Sequence, residues 1–166
     1  MNSSHSHKHR NLPGEHAITD IGQLILFVIF VLLIIIDIFI LKFSNKMIGT
    51  LSQMLAIPLF LLFLLAGSYF IFISHRIIFR ETDKDVELVT RDVFSIVRHP
   101  MYFGSILLFF SFVILSNSVL ALVVWILICV FYYFISRYEE KLLINKFGDK
   151  YKEYQKKVPM FIPFIK

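Results

Sequence analysis

From Met101 to Ile135 the chain runs for 35 residues without a charged side chain. That stretch restricts the possible folds more than any other. A membrane hydrocarbon core about 30 Å thick is crossed by about 20 helical residues. Thirty-five residues are too many for one upright span and enough for two short ones. Ser116-Asn117-Ser118 falls near the middle, and such side chains bond to the backbone where a helix stops. The expected structure is therefore a helical hairpin with two spans of about 15 to 18 residues each. The competing reading is a single very long helix, which the Ser-Asn-Ser break disfavours.

Two other apolar runs precede the hairpin. Residues 22–41 match one membrane crossing. Asp37, four residues from the end of that run, is expected as an interfacial carboxylate close to Lys42. Residues 47–74 form a longer run interrupted by Pro58, expected to tilt, kink or lie partly outside the lipid. Hydrophobic residues make up 57% of the 166, which excludes an ordinary soluble domain. The single cysteine, Cys129, excludes an intrachain disulfide. Residues 1–20 are polar and carry His5, His7 and His9. They are expected to be a disordered tail, since no Cys or carboxylate pattern completes a metal site. They do not read as a signal peptide, because the apolar run that follows is too long and lacks a small-residue cleavage site. Residues 21–166 are expected to form one domain.

The net charge of +5 does not imply a nucleic-acid partner, because the basic residues flank the apolar runs. Thirteen of the 17 Lys and Arg lie in segments 75–98 and 137–166, and none lies at the Ser116 turn. The positive-inside trend then puts both segments and both termini in the cytoplasm. Lys42 and Lys46, on the opposite side, run against that trend. The expected fold is an all-α integral membrane protein with about four transmembrane helices, the last two a hairpin. The hairpin returns the two polar segments to one face, where they can form one site.

The first polar segment contains a strand-prone piece, Val86-Glu87-Leu88-Val89-Thr90. It ends in Arg98-His99-Pro100-Met101-Tyr102-Phe103-Gly104, which reads as a helix start with proline in the first turn. Arg98 alone reads as a basic flank reaching lipid headgroups. In the second segment, Glu139 and Glu140 are adjacent and point about 100° apart on a helix. They are expected to serve separately, one toward a ligand and one toward solvent or a basic partner. Gly148 is expected to end that helix, Tyr151 and Tyr154 to share a face of the next, and Val158-Pro159 to end it. No glycine-rich phosphate loop, nucleophile triad or metal-ligand spacing is visible. Imidazole, phenol and carboxylate groups at one membrane face suit a nucleoside-like zwitterion, a description that S-adenosylmethionine fits.

Several ordered pieces carry a family resemblance. They are Leu88-Val89-Thr90, Val93-Phe94, Arg98 to Gly104, Arg137-Tyr138-Glu139-Glu140, Phe147 to Tyr154, Lys157-Val158-Pro159 and the closing Ile162-Pro163-Phe164-Ile165. Together they resemble the isoprenylcysteine carboxyl methyltransferase family, within the wider group of membrane methyltransferases that includes phospholipid methyltransferases. The resemblance covers about residues 86 to 166. It implies S-adenosyl-L-methionine as cofactor, bound at the cytoplasmic face by Val86, Leu88, Val89, Phe94, His99, Pro100, Met101, Tyr102 and Glu139. It also implies a lipid or lipidated acceptor that enters sideways from the membrane, with an isoprenylcysteine carboxylate foremost. Some positions depart from the family pattern. Val86 stands where His is frequent, Phe94 where Tyr is usual, and Arg91-Asp92 where a small residue precedes Gly. Ile135 stands where the isoprenylcysteine enzymes hold the acceptor's carboxylate with arginine. Arg137, the catalytic candidate, follows a form that the resemblance places in bacterial-type relatives; about 200° from Ile135 on a helix, it does not simply replace the missing arginine. The alternatives are phospholipid amine N-methylation, a sterol-type NADPH reductase and a non-catalytic membrane protein.

Overall fold

The computed structural model describes residues 13–41, 53–81 and 88–163. Val86, Glu87, Lys42, Lys46 and His5, His7 and His9 lie outside them. Five α-helices follow in order: α1 (Pro13–Ile36), α2 (Gln53–Glu81), α3 (Pro100–Ser116), α4 (Val119–Phe147) and α5 (Asp149–Lys157). α1 runs directly into a π-helical turn, Asp37–Leu41. A short 3-10 turn, Asp92–Ser95, leads toward α3. The expected hairpin is present. α3 stops at Ser116, Asn117 takes a left-handed conformation (φ 49°, ψ 33°), and α4 starts after Ser118. Ser118 caps α4 by accepting a hydrogen bond from the Ala121 amide at 3.0 Å.

Among the described residues, three stretches are long and apolar enough to cross a membrane: Ile21–Ile40, Met54–Ile78 and Val119–Phe147. α3 is apolar but has 17 residues, about 25 Å of helix. Large side chains such as Leu24, Leu62, Phe72 and Phe134 face outward, as a surface solvated by lipid requires. The protein is therefore an all-helical membrane protein. α2 departs from expectation. It runs to Glu81, so residues 75–81 extend the helix instead of forming an irregular connection. Pro58 lies inside it, near its N-terminal end, without breaking it.

Other expectations also change. α1 begins at Pro13, within the segment expected to be a tail. Leu88–Thr90, the described part of the strand-prone piece, has no regular secondary structure. Without a partner strand, β propensity has no ladder to join. Asp37 is fully buried in the protein and accepts a hydrogen bond from the Ser118 hydroxyl at the hairpin turn. Asp92 takes φ 54°, a left-handed conformation that Asp tolerates better than most residues.

The main core lies between α1, α3 and α4 and includes Phe30, Tyr102, Phe109, Val113, Ile128 and Tyr132. α2 joins through α3 at a very close approach. A Cβ added to Gly67 would lie 2.7 Å from the Gly104 carbonyl oxygen, and one added to Gly104 would lie 2.7 Å from that of Gly67. Small residues allow helices in lipid to approach this closely. A second cluster, Tyr151, Tyr154 and Val158, packs with Leu88, Leu143, Ile144 and Phe147. It fastens α5 beneath the end of α4.

Candidate active site

The site lies where the start of α3 meets the outgoing end of α4. Pro100 occupies the first turn of α3 with His99 at its N-cap. The Arg98 amide donates to Pro159 O at 2.9 Å and the His99 amide to Met160 O at 3.3 Å. The chain leaving α5 therefore runs back alongside these residues. Arg98 holds this junction from the side chain too. Its Nε donates to Glu140 Oε1 at 2.6 Å, and its NH1 group to the carbonyls of Gln155 at 3.1 Å and Val158 at 2.5 Å. Gln155 Nε2 completes the set on Glu140 Oε2 at 3.0 Å. The Arg98 side chain is 11% exposed and that of Glu140 3%. Arg98 is thus an internal tie between helices, and the reading of it as a headgroup anchor is corrected.

His99 sits between the two adjacent carboxylates. Nδ1 is 3.5 Å from Glu139 Oε2, and Nε2 is 3.5 Å from Glu140 Oε1. The second contact is electrostatic, since Nε2 is buried without a hydrogen-bond partner. Burial opposes the imidazolium, but the two glutamates outweigh it, so His99 titrates above its ordinary 6.5. Tyr102 donates to Glu139 Oε1 at 2.5 Å. Its ring stacks on Tyr132, centroids 5.0 Å apart, and on His99 at 5.9 Å. Phe161 rests against the other side of His99, also at 5.9 Å. Glu139 is 40% exposed. The two carboxylates have parted as expected: Glu140 is locked to a base, while Glu139 keeps an open side.

That open side meets a cavity of about 410 Å³ between α1, α3 and α4, within the range of about 300–1,000 Å³ usual for ligand pockets. One wall is a stripe of α1, Gly22, Ile25, Leu26 and Ile29. The other is an i, i+4, i+8 stripe of α4, Phe131, Ile135 and Glu139. Gln23, Tyr102 and Tyr132 complete the lining. The result is an apolar cleft with a polar end. A second cleft of about 420 Å³ lies between α1, α2 and α3, with Gln23, Met101 and Ser105 in its lining.

The residues named from sequence are not all together. His99, Tyr102 and Glu139 form one constellation. Pro100 is buried and starts α3. Met101 lines the second cleft. Leu88 belongs to the cluster beneath α4, and Phe94 is tied to α5 because its carbonyl accepts from Tyr154 OH at 2.5 Å. Val89 is half-buried in the loop before the 3-10 turn. Val86 lies outside the described residues. Arg137 is 57% exposed, and its NH1 group lies 4.0 Å from Glu140 Oε2; Ile135, not Arg137, belongs to the cavity wall. Two residues along a helix, at about 100° each, turn Arg137 about 200° away from Ile135 and explain the separation. Sequence reasoning missed Gln23 and Tyr132. Gln23 carried a signal: apart from Asp37 it is the only polar side chain in 21–41, and polar groups in spans face the bundle.

The model of the phospholipid methyltransferase family matches residues 60–150. The chain is 37% identical over 97 residues to the protein-S-isoprenylcysteine O-methyltransferase of Schizosaccharomyces pombe, covering 55% of this chain and 39% of that protein. It is 39% identical over 105 residues to the enzyme of the same name from Xenopus laevis, covering 62% and 35%. It is 36% identical over 75 residues to the methanethiol S-methyltransferase of Pseudomonas deceptionensis, covering 45% and 28%. The chain thus spans about two fifths or less of the length of these relatives. No solved structure matches significantly. More than half of the chain, including α3 and the part of α4 that carries Glu139 and Glu140, lies inside the family match, and the chain therefore belongs to the phospholipid methyltransferase family.

Proposed function

We propose that the protein transfers a methyl group from S-adenosylmethionine to a membrane-embedded acceptor with an apolar chain, an isoprenylcysteine being the acceptor its relatives' names favour. Glu139 carries this reading: a carboxylate held by Tyr102 at 2.5 Å, half-exposed, and at the polar end of an apolar cleft. The donor set suits the cofactor. An open carboxylate accepts from ribose hydroxyls or faces a cation, and a buried imidazole nitrogen without a hydrogen-bond partner offers a further polar contact. S-adenosylmethionine supplies the methyl group together with its own thioether leaving group.

The protein's part is alignment and the exclusion of water. Glu139, oriented by Tyr102 and flanked by His99, binds the cofactor. Pro100 fixes the start of α3 beneath them, and Leu88 and Phe94 hold the loop and α5 in place around the cofactor. Val86, Val89 and Met101 remain proposed as contributors to the same cofactor site. The apolar stripes of α1 and α4 take the acceptor's chain sideways from lipid, sparing it transfer through water. Residues 21–166 act as one domain of four spans, with α3 as the third. Both termini and the site face the cytoplasm, beside most of the Lys and Arg.

Purified protein in detergent is expected to bind S-adenosylmethionine in calorimetry, with Glu139→Gln weakening binding at least about tenfold. Absence of binding at millimolar cofactor overturns the reading. For topology, a cysteine placed at Asn117 in a Cys129→Ala background is expected to label from outside the cell; labelling from the cytoplasm alone sinks the four-span arrangement.

A second reading, methylation of a phospholipid amine, is favoured by the pairing of Ile135 with Glu139 in one wall. A neutral amine needs a carboxylate to take its proton. Glu140 is engaged by Arg98 and Gln155, so Glu139 is the available one.

A further inference from the structure

The apolar cleft contains polar groups that neither the cofactor site nor the packing uses. Gln23 lies on α1, before the stretch matched by the family model. Its Oε1 lies 3.4 Å from the Ser105 hydroxyl, whose single proton goes to the nearer Met101 carbonyl at 3.0 Å, so this contact does not spend the carboxamide's hydrogen-bonding capacity. Nε2 is buried and has no hydrogen-bond partner. Tyr132, on α4, is 2% exposed, and its hydroxyl is buried beside the Ser105 side chain without a well-formed hydrogen bond. Both residues line the cleft that Glu139 closes at one end.

Buried donors without acceptors are rare in folded proteins, because desolvation is then uncompensated. They are tolerated where a ligand completes them. Here two donors stand in a cleft whose other walls are Ile25, Leu26, Ile29 and Phe131. Such a lining holds an apolar chain and grips one oxygen-bearing group at its end.

We propose that Gln23 and Tyr132 bind the headgroup oxygen of the acceptor, a carboxylate or carbonyl next to the atom that is methylated, and so set acceptor specificity from α1. This rests on the methyltransferase reading and names the acceptor class for its site. Gln23 supplies neutral amide N–H donors, so the acceptor's oxygen is held without a cation at position 135. The ring of Tyr132 stacks on Tyr102 at 5.0 Å, and Tyr102 bonds Glu139. The groups that hold acceptor and cofactor are thus in contact through one pair of rings.

The test is equilibrium binding by the full chain in nanodiscs, which does not depend on turnover. The probes are an N-acylated S-farnesylcysteine and a farnesyl thioether of the same length without the carboxylate. Wild-type protein is expected to bind the carboxylate probe about tenfold more tightly. Gln23→Leu, of similar volume, is expected to erase that difference while leaving affinity for the thioether and for S-adenosylmethionine unchanged. Tyr132→Phe, which keeps the ring stack, is expected to reduce the difference in the same direction and serves if the first variant misfolds. Equal binding of the two probes by wild-type protein overturns the proposal, as does a difference that survives both substitutions, or one lost only together with cofactor affinity. If the protein binds no S-adenosylmethionine but still discriminates the probes through Gln23, the methyltransferase reading fails and the headgroup assignment stands.

Discussion

Glu139 and Glu140 are neighbours in sequence and belong to different machinery. Glu140 takes Arg98 and Gln155 on its two oxygens and is buried; Glu139 takes Tyr102 and keeps an open side. Arg98→Met is therefore expected to lower stability by about 3 kcal/mol, because it takes from the buried Glu140 its shortest ion pair. Glu139→Gln should shift Tm little while weakening cofactor binding; thermal unfolding in detergent separates the two. His99 adds a pH dependence. Its folded value lies above 6.5, so the stability it contributes is fully present below that value and is lost as the pH rises through the folded one. Unfolding temperatures of wild type should fall over that rise relative to His99→Gln, and parallel curves would exclude the effect. The divergence of the carboxylates was legible from the 100° step of a helix. The role of Arg98 was not, because its carbonyl partners Gln155 and Val158 lie 57 and 60 residues away and nothing local marks them.

Among the elements, the hairpin was the most legible, since an uncharged 35-residue run with Ser-Asn-Ser inside it admits few structures. The β-like reading of 86–90 failed in its described part for lack of a partner strand. The length of α2 was misjudged because charged residues at 76, 80 and 81 look like the end of a span, while a helix can continue into water. Gly104 had no assigned purpose in the sequence. The structure supplies one, a backbone approach to Gly67 that leaves no room for a methyl group. Gly104→Ala is expected to destabilise the α2–α3 pair by about 1–3 kcal/mol, read as a lower midpoint of unfolding. An unchanged midpoint would mean that the helices separate without loss.

For the molecule as a whole, the architecture divides the site between two regions of sequence. The family match begins at residue 60 and covers all of α3 and α4, whereas one wall of the cleft comes from α1, before it. The residues of the proposed cofactor end were legible in sequence, because they follow one another at recognisable separations. Those of the proposed acceptor end were not, because Gln23 and Tyr132 come from helices about a hundred residues apart and meet only after packing. α4 carries Phe131, Ile135 and Glu139 toward the cleft and Ile128, Tyr132, Ser136 and Glu140 toward the interior. Both ends of this rod are fixed, Ser118 to Asp37 and Glu140 to Arg98. The helix therefore has a reading frame of its own. Removing one residue between the two moorings would turn everything beyond it by about 100° and pull it about 1.5 Å back along the axis. The rod could then satisfy one mooring only by abandoning the other. Along this segment an exchange of one side chain disturbs one contact, while a change in residue count disturbs every contact beyond it.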